Sequence, residues 1–316
     1  MTTQECLGRI FGSTTVIPPP PDAPPAISAL KPGLSRGLRT TITAVVMVAV
    51  ILIGIIGYAV IGFGYTATRV ASADRTLNAV VSHQNTLNAT FHDIDTKFNA
   101  LNSGSSFNPQ EARSVVDQFV TSAKSAGKTV DSDDASLVAA TRGLNDQSWL
   151  TALSRSSLDR ESKRIVHARK ALANAKTVTE DYALDGQFLQ AFLDATIDVD
   201  ALATATGNAD IAGAKATLAN MQTHVDKALQ LSTAPGLPAD MHDLMVDFQK
   251  LVSDFGKLLA AAEANDEAGV TAYDQSVTDD AKKIGGYQFD TMTAAIVAFY
   301  KPYVDGFNSE MAAATS

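Results

Sequence analysis

Cysteine is almost missing from this chain of 316 residues, where Cys6 stands alone. A single thiol forms no intrachain disulfide and builds no Cys-based metal or haem motif. It precedes the one long apolar run instead of following it, which does not fit a lipoprotein-type acylation site. Proline is scarce after the start: Pro18, Pro19, Pro20, Pro21, Pro24, Pro25 and Pro32 are seven of the eleven, all in the first 32 residues. Positive charge is short as well. Beyond residue 67 there are 21 Lys and Arg against 32 Asp and Glu, a net of -11. Phosphate backbones need a basic surface, so nucleic acid is excluded as the principal partner.

The spacings that carry common chemistries are also missing. None of the seven Glu residues is followed three positions later by His, and HExxH does not occur. That removes the usual helix-borne ligand sets for zinc hydrolysis and di-iron chemistry. GxxxxGK[ST] and GxSxG are absent too, so neither a phosphate-cradling loop nor a nucleophile elbow is present. No catalytic, cofactor-binding or metal-ligating residue is assigned.

Long apolar runs are limited to one. Ile42 to Tyr65 is 24 residues without a charge, and a helix of that length rises about 36 Å, enough to cross a hydrocarbon core of roughly 30 Å. A signal peptide has an apolar region of about 7 to 15 residues behind a short basic start. This run is longer and stands behind 41 residues. Ala71 and Ala73 in VASAD offer the small-x-small pattern of a signal peptidase site, but Ala73 lies eight residues past Tyr65 with Arg69 between. The expectation is a retained signal anchor. Lys31, Arg36 and Arg39 on the near side against Arg69 and Arg75 on the far side place the N-terminus in the cytoplasm by the positive-inside bias. Gly54, Gly57, Gly62 and Gly64 form no GxxxG and read as the glycine common in membrane helices.

Beyond the run, Val70, Ala73, Leu77, Val80, Gln84, Leu87, Phe91, Ile94, Phe98 and Leu101 recur at steps of three and four, with only Gln84 polar. This is a heptad seam. Its flanking positions, Asp74, Thr76, Val81, His83, Asn88, Thr90, Asp95 and Lys97, are poor in complementary charge. A parallel zipper is thus weakly specified, and packing inside an intramolecular bundle is expected, with a homodimer as the lesser reading. In NSGSSFNPQE the rod breaks and a helix restarts, with Asn108 as N-cap, Pro109 at the first position and Glu111 placed for a capping box. GKTVDSDD, Gly127 to Asp134, is expected to end that helix and to offer Ser132 or Asp133 as the next cap. A long helical stretch should run from about Asp146 to Thr206, with a bend near Gly186. GNADIAGAKA from Gly207 and ANDEAGVTA from Ala264 share an N, D, AG pattern, with Asp210 and Asp266 as N-caps 56 residues apart. TAPGLPAD separates them, and a last helix starts near Tyr287 with Pro302 inside it.

Three groups of residues are candidates for function. DSDD, Asp131 to Asp134, resembles the start of a calcium loop, but Ser136 stands where the turn glycine belongs and Arg142 where the bidentate Glu belongs, so it reads as a solvated turn. His83, His92, His167, His224 and His242 are scattered and read as surface residues. A basic cluster puts Arg160, Lys163, Arg164, His167 and Lys170 along one side of a helix, a candidate surface for an anionic partner such as lipid headgroups or an envelope polymer. Against it stands a solvated face neutralised by neighbouring acidic helices. In AFYKPYVDGF, Phe299, Tyr300, Tyr303 and Phe307 either line an aromatic cleft or pack the end of a bundle.

The expected fold class is all-α: a single N-terminal transmembrane helix continuing into an antiparallel helical bundle. It is four-helix-bundle-like, with two stacked helical-hairpin units also open. Residues 1–38 form a Pro-rich, disordered cytoplasmic tail and 39–66 the transmembrane signal anchor. Residues 67–316 form an extracytoplasmic helical domain: a heptad stalk over 67–102, helices over 109–206 and two helical hairpins over 207–316. In outline this is similar to the extracytoplasmic sensing bundles of bacterial chemoreceptors, a resemblance of architecture that carries no residue over. The function expected is a non-enzymatic, membrane-anchored binding or scaffold module at the cell envelope. It contacts the bilayer through residues 42–65 and a partner that is an envelope protein or anionic polymer, with no cofactor. The alternative is a ligand-sensing or carrier domain with a small-molecule cleft near Trp149, Tyr182 or the C-terminal aromatics, working through a membrane partner.

Overall fold

The structure, a computed structural model, describes residues 68–103, 108–145 and 155–316. These form seven α-helices and, among the described residues, no strand: α1 Thr68–Ser103, α2 Pro109–Asn145, α3 Arg155–Gly207, α4 Ile211–Leu231, α5 Ala239–Glu263, α6 Glu267–Gly285 and α7 Phe289–Thr315. The Pro-rich tail, the apolar run Ile42 to Tyr65 and Trp149 lie outside the described residues. Among the described residues, no helix is long and apolar enough to cross a membrane.

Local chemistry sets several helix starts. Asn108 Oδ1 accepts from the backbone N–H of Gln110 at 3.1 Å and of Glu111 at 3.2 Å, meeting two of the amides a helix start leaves unpaired. Asp210 and Asp266 cap α4 and α6 by accepting from Gly213 N at 2.8 Å and Gly269 N at 3.0 Å. The two junctions match in detail. The residue before each cap is left-handed, Ala209 with φ 58° and Asn265 with φ 56°. Each Asp amide reaches back five residues at 2.9 Å, to the carbonyls of Ala205 and Ala261.

The expected break at Gly127 to Asp134 is absent, because α2 runs through it without interruption. Ala123, Ala126, Val130, Asp133 and Leu137 are all buried at steps of three and four. The packed face continues through a segment whose residue types favour a turn, and packing overrides that preference. Asp131 and Asp134 point outward from this continuous helix, to Lys176 at 2.7 Å and Arg169 at 2.7 Å on α3.

α3 is the axis. Its 53 residues extend about 80 Å if straight. α2 lies antiparallel to it, since Arg113 meets Asp194 and Lys176 meets Asp131. α1 is parallel to α3 and antiparallel to α2, through Asp74 to Arg164 and His83 to Asp133. α7 returns antiparallel along α3 from near its start to past its middle, with His167 against Glu310 and Asp185 against Tyr300. The lower half is thus a four-helix bundle of α1, α2, α3 and α7.

In the upper half the chain meanders away from α3: α4 packs on α3, α5 on α4 and α6 on α5. The expectation of two hairpins over 207–316 is corrected at its second member, because α7 packs along α3 and not back on α6. Length and stripe explain this. α6 has 19 residues and buries only Val277, Asp280 and Ala281. α7 buries Phe289, Met292, Ile296, Tyr300, Val304, Phe307, Met311 and Ala314 over its length, a stripe that only a long partner can cover. The seam of α1 is spent internally: Val70, Ala73, Leu77, Val80, Phe91 and Ile94 are all buried against the same chain.

Candidate functional site

The basic residues of α3 divide once the bundle is assembled. Arg164 turns inward, donating from Nε to the Ala314 carbonyl at 2.8 Å and from Nη1 to Asp74 at 2.8 Å and Glu161 at 2.9 Å. It ties the starts of α1 and α3 to the end of α7. Glu161 is buried, and burial pushes its carboxyl up even though Arg164 opposes the shift. His167 Nδ1 lies 2.6 Å from Glu310 Oε2, and Lys170 Nζ lies 3.8 Å from the other oxygen. Hydrogen bonding to His167 holds the Glu310 carboxyl below its usual range. Arg160 is mostly exposed and sits 3.9 Å from Glu161. Lys163 is exposed and has no ionic partner among the described residues. Four of the five candidates, Arg160, Arg164, His167 and Lys170, thus meet acids of α1, α3 or α7.

The aromatic candidates divide by depth. Tyr300 and Phe307 are fully buried, whereas Phe299 is 39% exposed and Tyr303 half-buried. Tyr300 belongs to a chain of rings crossing the bundle: Phe91 to Phe119 at 6.1 Å, Phe119 to Tyr182 at 5.7 Å, Tyr182 to Tyr300 at 4.7 Å, and Tyr300 to Phe299 at 5.0 Å. The T-shaped contacts in this chain are favourable ring geometries.

At its centre lies a group that the sequence did not single out. Tyr300 Oη donates to Asp185 Oδ2 at 2.7 Å, with the Pro235 carbonyl at 3.3 Å. Burial drives the Asp185 carboxyl up to about 8, with the Tyr300 hydrogen bond opposing and Asp181 adding to the shift. Asp185 Oδ1 and Tyr182 Oη are buried without a hydrogen-bond partner among the described residues. The α4–α5 turn closes over this spot: Gly236 has φ 89°, and a Cβ there would stand 2.3 Å from Tyr300 Oη. Gly186, next to Asp185, presses on α2, where a Cβ would meet Val120 at 2.5 Å. Asp185 in sequence is one acid among 32 beyond residue 67; no local pattern marks it.

Two further polar clusters are structural. Gln84, the polar member of the α1 seam, donates to Asp133 Oδ2 at 3.3 Å while His83 Nδ1 sits 2.8 Å from Oδ1. Burial pushes the Asp133 carboxyl up, and His83 and Gln84 oppose this. Asp133 was expected in a solvated turn; it is in fact the polar partner of the seam. Between α5 and α6, Asp254 and Asp280 share Lys250, and Asp247 takes Lys283 at 2.7 Å and Tyr287 at 2.6 Å. Burial alone would raise Asp247, but these two hydrogen bonds hold it below its usual range. His224 pairs with Asp198 and His242 with Ser232, so these two also serve helix contacts. Among the described residues, no group of three His, Cys, Asp or Glu is placed to hold a metal ion.

The class this fold defines is an elongated all-α bundle built on one long central helix. No protein-family model, no curated protein and no solved structure matches the chain.

Proposed function

We propose that this protein is a membrane-anchored, non-enzymatic extracytoplasmic bundle that acts as a binding or scaffold module at the cell envelope. The observation that carries this reading is continuity. The apolar run ends at Tyr65, three residues before the start of α1, and α1 is buried in the bundle from Val70 to Ile94. An anchor joined to a helix so firmly packed holds the whole domain at the membrane as one body. The non-enzymatic part is supported by the partners of the polar groups. Arg164, His167, Asp133, Asp247 and Asp254 are each tied to oppositely charged or polar neighbours in helix contacts, which is what a rigid frame requires.

Alkaline carbonate extraction of native membranes, followed by crosslinking in intact cells through a photoreactive residue at Phe299 or Val246, tests the reading. Both are large apolar side chains more than a third exposed. The expected result is a chain that resists carbonate and captures a discrete envelope protein or polymer. Release by carbonate, or capture of lipid alone, overturns it.

The ligand-sensing alternative draws on one observation, the buried Tyr182 Oη and Asp185 Oδ1, which have no hydrogen-bond partner among the described residues. A bound small polar molecule meeting both atoms would raise the melting temperature of the bundle, and Tyr182→Phe would remove that effect.

A further inference from the structure

The bundle has a charge polarity along its length. At the lower end, Arg164 binds Asp74 and the Ala314 carbonyl, and Ala73, Leu144, Ile165 and Ala314 share one apolar cluster. These contacts bring the first turns of α1 and α3 level with the last turns of α2 and α7. The stretches that meet there are 68–76, 138–145, 155–165 and 311–316. They contain seven bases, Arg69, Arg75, Arg142, Arg155, Arg160, Lys163 and Arg164, against three acids, Asp74, Asp159 and Glu161. Two of those acids are taken by Arg164. Arg75, Arg142 and Lys163 are exposed, one on each of three helices, and none has an ionic partner among the described residues.

The upper end has the opposite sign. Residues 198–216 and 258–272, which form the α3–α4 and α5–α6 junctions, contain Asp198, Asp200, Asp210, Glu263, Asp266 and Glu267 against the single base Lys215. That base is already paired with Glu263. The two ends are separated by roughly 65 Å of α3, many Debye lengths at physiological salt, so each presents its own field. A net acidic domain thus places Arg75 and Arg142, exposed and without an ionic partner among the described residues, at the end where the apolar run enters.

We propose that the basal end of the bundle is a docking face for an anionic bilayer surface, which Arg75, Arg142 and Lys163 contact, while the acidic far end is repelled whenever tilting brings it near that surface. This rests on the membrane-anchored reading. Arg guanidinium groups suit phosphate oxygens because their donors are planar and forked. Basic side chains beside a membrane span are drawn to anionic headgroups within a Debye length of the surface. The consequence is orientational: the anchor fixes where the bundle sits, and the basal cations with the acidic tip hold it upright.

The full-length chain incorporated in nanodiscs tests this. One set of discs contains phosphatidylcholine alone and the other phosphatidylcholine with phosphatidylglycerol. Arginines are labelled with phenylglyoxal and lysines by acetylation, and each site is read by mass spectrometry. The expected result is labelling of Arg75, Arg142 and Lys163 at least about 3-fold slower in the anionic discs, with the protection lost at high salt. Lys227 and Lys282, exposed in the upper half, should label equally in both. In an Arg142→Glu, Lys163→Glu variant with unchanged helical circular dichroism, the protection of Arg75 should disappear. Equal labelling of the three basal sites in both discs overturns the docking face while leaving the anchor intact. A chain that enters neither disc sinks the anchored reading itself, and the docking face with it.

Discussion

Tyr300 donates its phenolic hydrogen to Asp185 at 2.7 Å, across 115 residues of chain, at the level where the α4–α5 turn rests on α3 and α7. The Asp185 carboxyl is buried and raised to about 8, against an ordinary value of 3.8. At neutral pH it is therefore mostly protonated. It can then give its own proton to Tyr300 Oη while Tyr300 turns its hydrogen to the Pro235 carbonyl at 3.3 Å. A neutral relay of this kind carries no buried charge, which is why the cluster is tolerated.

A pH dependence follows. Between the unfolded value of 3.8 and the folded value of about 8, the folded state holds more protons at this site. Stability from Asp185 is therefore full below about pH 4 and declines as pH rises toward 8. Asp185→Asn keeps the hydrogen bond without the charge. In urea denaturation it should be more stable than the parent by roughly 2 to 5 kcal/mol at pH 8.5, and within about 1 kcal/mol of it at pH 5. A constant difference across that range would show that Asp185 does not titrate in this window.

Arg164 and Lys163 are neighbours that belong to different parts of the physics. Arg164 is the partner of buried Glu161, whose side chain is 3% exposed. Arg164→Ala should cost about 3 to 5 kcal/mol in urea denaturation, because it leaves a buried carboxylate without its cation. Arg164→Lys should recover only part of that, since an ammonium cannot reproduce the forked contacts to Ala314, Asp74 and Glu161. Lys163→Ala should shift stability by no more than about 0.5 kcal/mol. An Arg164→Ala protein as stable as the parent would remove Arg164 as the tie between α1, α3 and α7.

These residues also show how far the sequence was legible. The α1 seam, the Asn108, Asp210 and Asp266 caps and the break at TAPGLPAD were readable because each depends on neighbours within a few positions. Asp133 and Asp185 were not. Asp133 looked like a turn residue in DSDD, and only the approach of α1, bringing His83 and Gln84, makes it the centre of a polar contact. Asp185 acquires its meaning from Tyr300. The basic stripe of α3 was visible as a stripe, but which of its members face inward depends on where α1 and α7 end. Helical periodicity locates a face; it does not say which partner covers it.

Gly236 and Gly207 give opposite expectations for the same change. Gly236 has φ 89° and stands against Tyr300, where an added Cβ would lie 2.3 Å from Oη. Gly236→Ala should destabilise by about 2 to 4 kcal/mol through backbone strain and displacement of the Asp185 to Tyr300 contact. Gly207, at the end of α3, has nothing among the described residues within 4 Å of an added Cβ and no positive φ. Gly207→Ala should be neutral or stabilising by up to about 1 kcal/mol. Thermal unfolding of the two variants side by side checks both signs.

VASAD, the peptidase-like stretch after the apolar run, is shielded by the fold. From Val70 to Asp74 this stretch is helix, with Val70 and Ala73 buried in the bundle. A protease needs an extended segment in its cleft, and unwinding the first turns of α1 would expose these two side chains and release Asp74 from Arg164 at 2.8 Å. Cleavage after Ala73 is therefore opposed by the folded domain. Mass spectrometry of the protein isolated from cells should find peptides spanning Ala73 and Asp74 and no N-terminus at Asp74. An N-terminus at Asp74 would make this a released protein, and both the anchor and the basal docking face would fall with it. Arg164→Ala loosens the same turn, so if folding is what protects the site, that variant should show cleavage where the parent shows none.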